Sequence, residues 1–282
     1  VYDDACEKAM ELAEEHGYTF IHPFDDLAVA TGQGSIAMEI VQELPTVDYI
    51  IVPIGGGGLI TGVSTLAKML NPKIKVIGVE PAAAASMTAA FEKGEPVTLP
   101  SANTIADGTA VKRVGETIFP YCKENIHKII TVDDNELIGA FLDMVENHKM
   151  IVENSGLLPV AALSHLDLKD KKAVVVLSGG NMDVITMSSI VQHGLIQKDR
   201  IFSVSVLLPD KAGELVKVAS IIAKEKGNVI KLEHNQFVSI NRINAVELRV
   251  TMEAYGTEHK CSILKALEEA GFEPKVVDTK LY

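Results

Sequence analysis

The sequence predicts an α/β protein in two parts, a doubly wound and mostly parallel sheet followed by a small βαββαβ domain. Three observations carry that expectation. Apolar runs that read as strands alternate with helix-like segments between residues 49 and 177, which implies parallel pairing and right-handed crossovers. Two of those runs end in glycine turns, Gly55-Gly56-Gly57-Gly58 and Ser178-Gly179-Gly180-Asn181, at the strand ends where such sheets bind ligands. After Arg200 the order becomes strand, helix, strand, strand, helix, strand, the ferredoxin-like arrangement.

Taken in order, Ala5, Ala9, Met10, Leu12 and Ala13 recur at helical spacing, with Asp3 and Asp4 in the first turn and Gly17 at the stop. Residues 18–24 read as a short strand, and 31–44 as a helix opened by Gly32-Gln33-Gly34-Ser35 and ended by Pro45. The strand at 49–52 enters the first glycine turn; a helix to about Leu70 and a strand over 74–79 follow. Pro81, Pro96, Pro100 and Pro120 punctuate a long irregular passage, of the kind that in compact domains is usually functional. Order resumes with a strand at 128–132, a helix from Asp133 to about Glu146 capped by Asp133 or Asp134, a helical stretch at 156–166 and an apolar strand at 173–177. A helix over 182–192 and a connector over 194–200 close the first domain. The second reads as strand 201–208, helix 213–226, extended 228–240, strand 245–253, helix 258–270 and strand 272–279. The expected domains are 1–198 and 199–282.

With 282 residues, 47% of them hydrophobic, and a mean hydropathy of +0.20, the chain is long enough for two well-packed domains. A net charge of −12 and a pI near 5.1 argue against nucleic acid and anionic membranes as partners. No apolar run reaches the roughly 18 residues that a bilayer span needs, and no signal peptide is visible. Cys6, Cys122 and Cys261 lie far apart and form no C-x-x-C pair, so neither a disulfide framework nor a zinc site is suggested, and a cytoplasmic location fits. The opening residues from Val1 read as the interior of a domain, which raises the expectation of a longer parent chain.

The run Pro53-Ile54-Gly55-Gly56-Gly57-Gly58-Leu59 carries the first chemical signal. Consecutive glycines sacrifice backbone entropy and belong where Cβ atoms would block a ligand or where φ is positive. Lying between a strand and a helix, they suit an anion cradle of backbone N–H groups reinforced by the helix dipole. A dinucleotide fingerprint fails, because no register gives G-x-G-x-x-G; a Walker A loop fails because Val63 stands at the lysine position. The bland alternative is a tight turn without a ligand.

His22-Pro23-Phe24-Asp25-Asp26, Gly32-Gln33-Gly34, Gly55 to Leu59, Gly78-Val79-Glu80-Pro81, Thr104-Ile105-Ala106-Asp107-Gly108 and Leu177-Ser178-Gly179-Gly180-Asn181 together resemble the fold-type II pyridoxal-phosphate enzymes. Within them the chain is similar to the threonine ammonia-lyases (threonine dehydratases) that carry one C-terminal ACT domain. The resemblance implies that Gly55, Gly56, Gly57, Gly58 and Leu59 hold the phosphate of pyridoxal 5′-phosphate. It places Ser178 and Gly179 at the pyridine nitrogen and Gly108 near the ring. A hydroxyl at that nitrogen leaves it mostly neutral, which suits β-elimination; taken alone, Ser178 reads equally as a turn residue. Glu153 lies in the segment on the ring side, with a solvated helix-end carboxylate as the alternative. Related serine racemases hold a divalent cation at positions matching Glu80, Ala84 and Ser86; with serine in place of the aspartate, Glu80 and Ala84 form a weakened metal site.

The Schiff-base lysine of this family lies in a Ser-Phe-Lys-type motif that the sequence lacks, so no catalytic residue is assigned. Lys112, beside Arg113, is the one nearby substitute and reads better as a solvated charge. The expectation is the larger part of a threonine ammonia-lyase, acting on L-threonine and L-serine in its complete form and inactive alone. In the second domain, Leu208 to Leu215 resembles the turn by which ACT domains bind small effectors between two copies. Asp210, Gly213, Leu215 and Asn228 are the implied effector residues, Asp210 reading otherwise as a helix cap. ACT pairing implies a homodimer or homotetramer. The competing readings are a non-catalytic effector-binding protein and a serine racemase.

Overall fold

The computed structural model describes residues 2–235 and 246–279, in two compact units, 1–187 and 188–282. In the first unit, helices α1 (Tyr2–His16), α2 (Leu27–Gln33) and α3 (Ser35–Glu43) precede strand β1 (Tyr49–Pro53). Helix α4 (Gly58–Leu70), strand β2 (Lys75–Pro81), and helices α5 (Ser86–Lys93) and α6 (Phe119–Asn125) come next. Strand β3 (Ile126–Val132), helices α7 (Asp134–Asp143) and α8 (Asn154–Ala161) and strand β4 (Ala173–Val175) complete the series, and helix α9 (Val184–Gln197) contains the division between the units. The four strands form one parallel sheet in the order β3-β2-β1-β4, with Tyr49 in register with Lys75 on one side and Ala173 on the other. Central β1 buries Ile50, Ile51 and Val52 completely, as a strand covered on both faces must. Ile60, Val63 and Ala67 of α4 join Ile50 and Val52 in one core cluster with Ile118 and Cys122.

The second unit holds β5 (Ile201–Leu208), α10 (Glu214–Lys224), β6 (Asn228–Asn235), β7 (Val246–Glu253), α11 (Thr257–Glu269) and β8 (Lys275–Val277). Its sheet runs β6-β7-β5-β8, antiparallel at every pairing, so the βαββαβ order closes in the ferredoxin-like way. Alternate residues Phe202, Val204, Val206 and Leu208 face Val218, Ile222, Ile263 and Leu267 of its two helices. The expected extension to Ile240 and the expected strand start at Ala245 lie outside the described residues.

Several local expectations need correction. Residues 18–24 form no strand; His22 Nδ1 accepts the backbone N–H groups of Phe24 (3.3 Å) and Asp25 (2.9 Å) and turns the chain instead. The helix expected over 31–44 is two helices broken at Gly34, and the first starts earlier because the Asp26 carboxylate caps Ala28 and Val29. The passage after Glu80 contains α5, whose cap is supplied by a residue well upstream rather than by the preceding one. The helix expected to end at residue 192 continues as α9 to Gln197, and the division between the units falls within it, ahead of residue 198. Asp133 and Glu136 form a reciprocal capping box on α7, as the acidic run suggests. No described helix is long and apolar enough to cross a membrane.

Candidate cofactor site

Strand β1 ends at Pro53, the chain turns through Ile54 to Gly57, and α4 begins at Gly58. Gly57, at φ 105°, is the N-cap of α4; it offers no side chain, and the first turn of the helix carries no acid. The leading N–H groups of α4 therefore keep their positive end uncompensated within their own helix. They open onto a cleft of about 420 Å³, lined on one side by Gly55 to Leu59 and on the other by Gly108, Thr109, Glu153, Ser155 and Ser178. Both glycine turns thus meet in one cleft, which is the expected place in a parallel sheet. The cleft is within the size range of sites that hold cofactor-sized ligands.

The glycines are required for different reasons. A Cβ at Gly55 would stand 3.1 Å from Thr109 Cα, so the two walls approach backbone to backbone. At Gly56 a Cβ would fall 2.3 Å from the Phe24 ring, and at Gly58 2.8 Å from the Phe24 backbone. Half of the quartet is thus demanded by the segment packed over it, and the ligand-only explanation of four glycines is too narrow. That segment is itself braced: the Asp25 carboxylate accepts the N–H groups of Glu116 (3.1 Å), Thr117 (2.9 Å) and Ile118 (3.2 Å), and Gly115 N–H donates to the Gly56 carbonyl at 3.0 Å.

The opposite wall is held from two helices. Asp134 of α7 accepts the Thr104 hydroxyl (2.6 Å) and the Ile105 N–H (3.3 Å), while Asn154 of α8 donates to the Ile105 carbonyl (2.9 Å). Gly108, two residues beyond Ala106, has no room for a Cβ, which would meet Ser155 Oγ at 2.9 Å. Asp134, which reads as a helix cap, and Asn154 were not signalled by the sequence as parts of this wall. At the far end, Glu153 accepts the Asn181 N–H at 3.0 Å and occupies the space where a Cβ of Gly179 (φ 83°) would lie, 2.2 Å from its Oε1. Glu153 is therefore a wall of the cleft tied to the second glycine turn, not a solvated helix end. Among the described residues, neither Lys112 nor any other lysine lines the cleft.

Glu80, expected with Ala84 at a weakened metal site, is engaged in the structure as a helix cap. It is fully buried, and its oxygens accept the N–H groups of Met87 (2.7 Å) and Thr88 (2.8 Å) and the Thr88 hydroxyl (2.7 Å), capping α5 from the end of β2. Ala84 is buried beside it and Ser86 Oγ has no partner, but no group of three His, Cys, Asp or Glu suited to a metal occurs among the described residues. Burial pushes the Glu80 carboxyl up to about 7, against its hydrogen bonds, which lower it. Because the folded value lies above the ordinary 4.5, Glu80 favours the folded state most below pH 4.5, and that contribution is lost as the pH rises to about 7. The melting temperature of the wild type is expected to fall relative to that of Glu80→Gln between about pH 5 and about pH 8; a difference independent of pH would contradict this.

In the second unit, Gly213 (φ 97°) starts α10, Leu215 packs on the core, and Asp210 is exposed and makes no cap, the N-cap being Gly213. Leu207, Pro209, Glu214 and Lys217 line a groove near that turn. Asn228 does not share it: it lies at the Ile201 end of the sheet, bonded to Glu253 at 2.7 Å, and lines a separate pocket with Arg200 and Lys226. Strand β5 separates the two ends by about 23 Å, so within one chain the expected four-residue effector set is split.

The first cleft thus brings together the uncapped N-terminus of α4, the glycine walls and the Ser178 residue of the second glycine turn. The chain belongs to the pyridoxal-phosphate-dependent enzymes: the sequence model of the family described as pyridoxal-phosphate dependent enzyme matches residues 1–179. Within that class it is similar to an L-threonine ammonia-lyase of Geobacter sulfurreducens, 39% identical over 273 residues, 96% of this chain and 68% of the relative. Among solved structures, the processed form of threonine deaminase isoform 2 from Solanum lycopersicum superposes with a TM-score of 0.61 at 37% identity, over 65% of this chain and 55% of that one. Serine racemase from Dictyostelium discoideum superposes with a TM-score of 0.58 at 39% identity, over 63% and 58%. The chain thus spans little more than half the length of these two structures.

Proposed function

We propose that the chain holds pyridoxal 5′-phosphate for the deamination of L-threonine, and of L-serine, by β-elimination to a 2-oxo acid and ammonia. The observation that carries this reading is the single cleft in which the uncapped N-terminus of α4 faces Ser178 across the Gly108 wall. Likeness to threonine ammonia-lyases across nearly the whole chain supports the choice of substrate. When bound, pyridoxal phosphate supplies a conjugated carbonyl and ring that acidify the Cα–H of an amino acid. Backbone N–H groups of Gly55 to Leu59 hold its phosphate, and Gly108 lets the ring lie against backbone. The Ser178 hydroxyl, beside Gly179, would meet the ring nitrogen with a weak neutral hydrogen bond, which would leave that nitrogen uncharged and suit loss of a β-hydroxyl. Glu153 fixes the second glycine turn, and so the height of Ser178.

Among the described residues the cleft wall supplies no amine, so on this reading the Schiff-base lysine and the base for the Cα proton are assigned to a part of the parent protein beyond these residues. Supplied with pyridoxal phosphate and threonine, the isolated chain is expected to release 2-oxobutanoate no faster than free cofactor does; turnover at an enzyme-like rate would overturn that assignment. The likeness to a serine racemase supports a second reading, and a chiral assay for D-serine on the parent protein separates the two. For the second unit, the βαββαβ topology supports an ACT-type regulatory role, and pairing of such units would make the parent protein a homodimer or homotetramer. Asp210, Gly213 and Leu215 would meet an amino-acid effector from one copy and Asn228 from the other.

A further inference from the structure

We infer that Thr61 and Cys122 are positioning residues for the glycine cradle: a buried pair of hydrogen bonds, thiol to hydroxyl to the Gly57 carbonyl, sets the direction of the N–H groups that face the cleft. The inference rests on the phosphate reading of Gly55 to Leu59 and adds to it the device that holds the loop in place.

The geometry is closed and directional. Thr61, 3% exposed on the first turns of α4, donates its hydroxyl proton to the Gly57 carbonyl at 2.8 Å, alongside its own N–H at 3.0 Å. With that proton committed, the Thr61 oxygen is left as an acceptor. Cys122 of α6, fully buried, lies 3.0 Å from that oxygen and 3.9 Å from the Gly57 carbonyl oxygen. Burial pushes the thiol up to about 12, so it keeps the proton that this arrangement needs. Gly57 stands at φ 105°, with the place of its missing Cβ occupied by Ile118 Cδ1 at 2.6 Å, Met87 Cε at 2.8 Å and Cys122 Sγ at 3.6 Å.

Gly57 is the residue whose conformation decides where the loop's donors point. Its carbonyl looks down the helix axis into the Thr61 and Cys122 pair, so the N–H groups of the following residues look the other way, toward the cleft. A left-handed residue with no side chain has few restraints of its own. A carbonyl held by the N–H and the hydroxyl of Thr61, with that hydroxyl backed by the Cys122 thiol from a second helix, supplies the restraint that glycine lacks, and it does so without placing any side chain in the cleft. Neither residue touches the cleft itself. Their effect is on the phosphate end alone.

The test compares pyridoxamine 5′-phosphate with pyridoxamine, neither of which forms a Schiff base with a lysine, by equilibrium dialysis against the intact chain. The ratio of the two dissociation constants measures the phosphate end. Thr61→Val, which keeps shape and removes the donor, is expected to cut that ratio about five- to tenfold while pyridoxamine affinity stays level, and Thr61→Ser is expected to restore it to within about twofold. Cys122→Val is the second arm, with an expected reduction of about two- to threefold. Unchanged ratios in both valine variants, equal weakening of both ligands, or failure of both variants to fold would overturn the positioning role. If the wild type itself does not prefer the phosphate ester, the phosphate reading of the loop fails, not the role of the pair beneath it.

Discussion

Gly156→Ala is expected to destabilise the first unit by on the order of 3 kcal/mol and to weaken binding of pyridoxamine 5′-phosphate by about tenfold or more. A Cβ at Gly156 would stand 2.0 Å from the Ser178 carbonyl oxygen and 2.9 Å from its carbonyl carbon. Both are backbone atoms, so no rotamer change can clear the overlap, and the turn after β4 must shift bodily. That turn carries Ser178 and Gly179, and Glu153 ties it to the opposite wall through Asn181. Stability and ligand affinity are therefore expected to fall together in this variant, measured by calorimetry and by dialysis on the same preparation. Normal affinity in a folded Gly156→Ala protein would remove Ser178 from the site.

Gly62→Ala is expected to lower the melting temperature of the first unit by on the order of 10 °C. Its Cβ would meet the Ala30 carbonyl oxygen at 2.0 Å and Gly34 N at 2.7 Å. Helices α2 and α3 cross α4 at this point, and Gly34, where α2 gives way to α3, has its own Cβ position 3.3 Å from the Gly62 carbonyl oxygen. Two glycines on crossing helices allow the backbones to touch, and a methyl group forces them apart along their length. Because the contact lies behind the cradle rather than in it, pyridoxamine 5′-phosphate affinity measured well below the transition is expected to change less than in Gly156→Ala. A melting temperature within about 2 °C of wild type would contradict the close crossing.

The parallel sheet, the βαββαβ unit and the meeting of both glycine turns were legible because each rests on local pattern: apolar runs such as 49–53, and glycines at strand ends. What stayed hidden depends on contacts between residues distant in sequence. Asp25 bracing residues 116–118, Asp134 and Asn154 clamping Ile105, and Glu80 capping α5 pair groups that no spacing rule connects. The strand expected at 18–24 failed because His22 accepts two backbone N–H groups and turns the chain there. The reason for Gly56 and Gly58 was misassigned in part, since a sequence cannot reveal that the Phe24 ring and backbone lie across them. Asn228 was grouped with Asp210 on likeness, and the register of β5, β6 and β7 places it at the other end of the sheet.

The most direct test of the phosphate cradle is the binding of pyridoxamine 5′-phosphate against pyridoxamine to the wild-type chain. Backbone N–H groups at an uncapped helix N-terminus, meeting a doubly charged ester, predict that the phosphate compound binds at least about a hundredfold more tightly, and that inorganic phosphate competes with it. Equal binding of the two compounds, or no displacement by phosphate, would contradict the assignment of Gly55, Gly56, Gly57, Gly58 and Leu59.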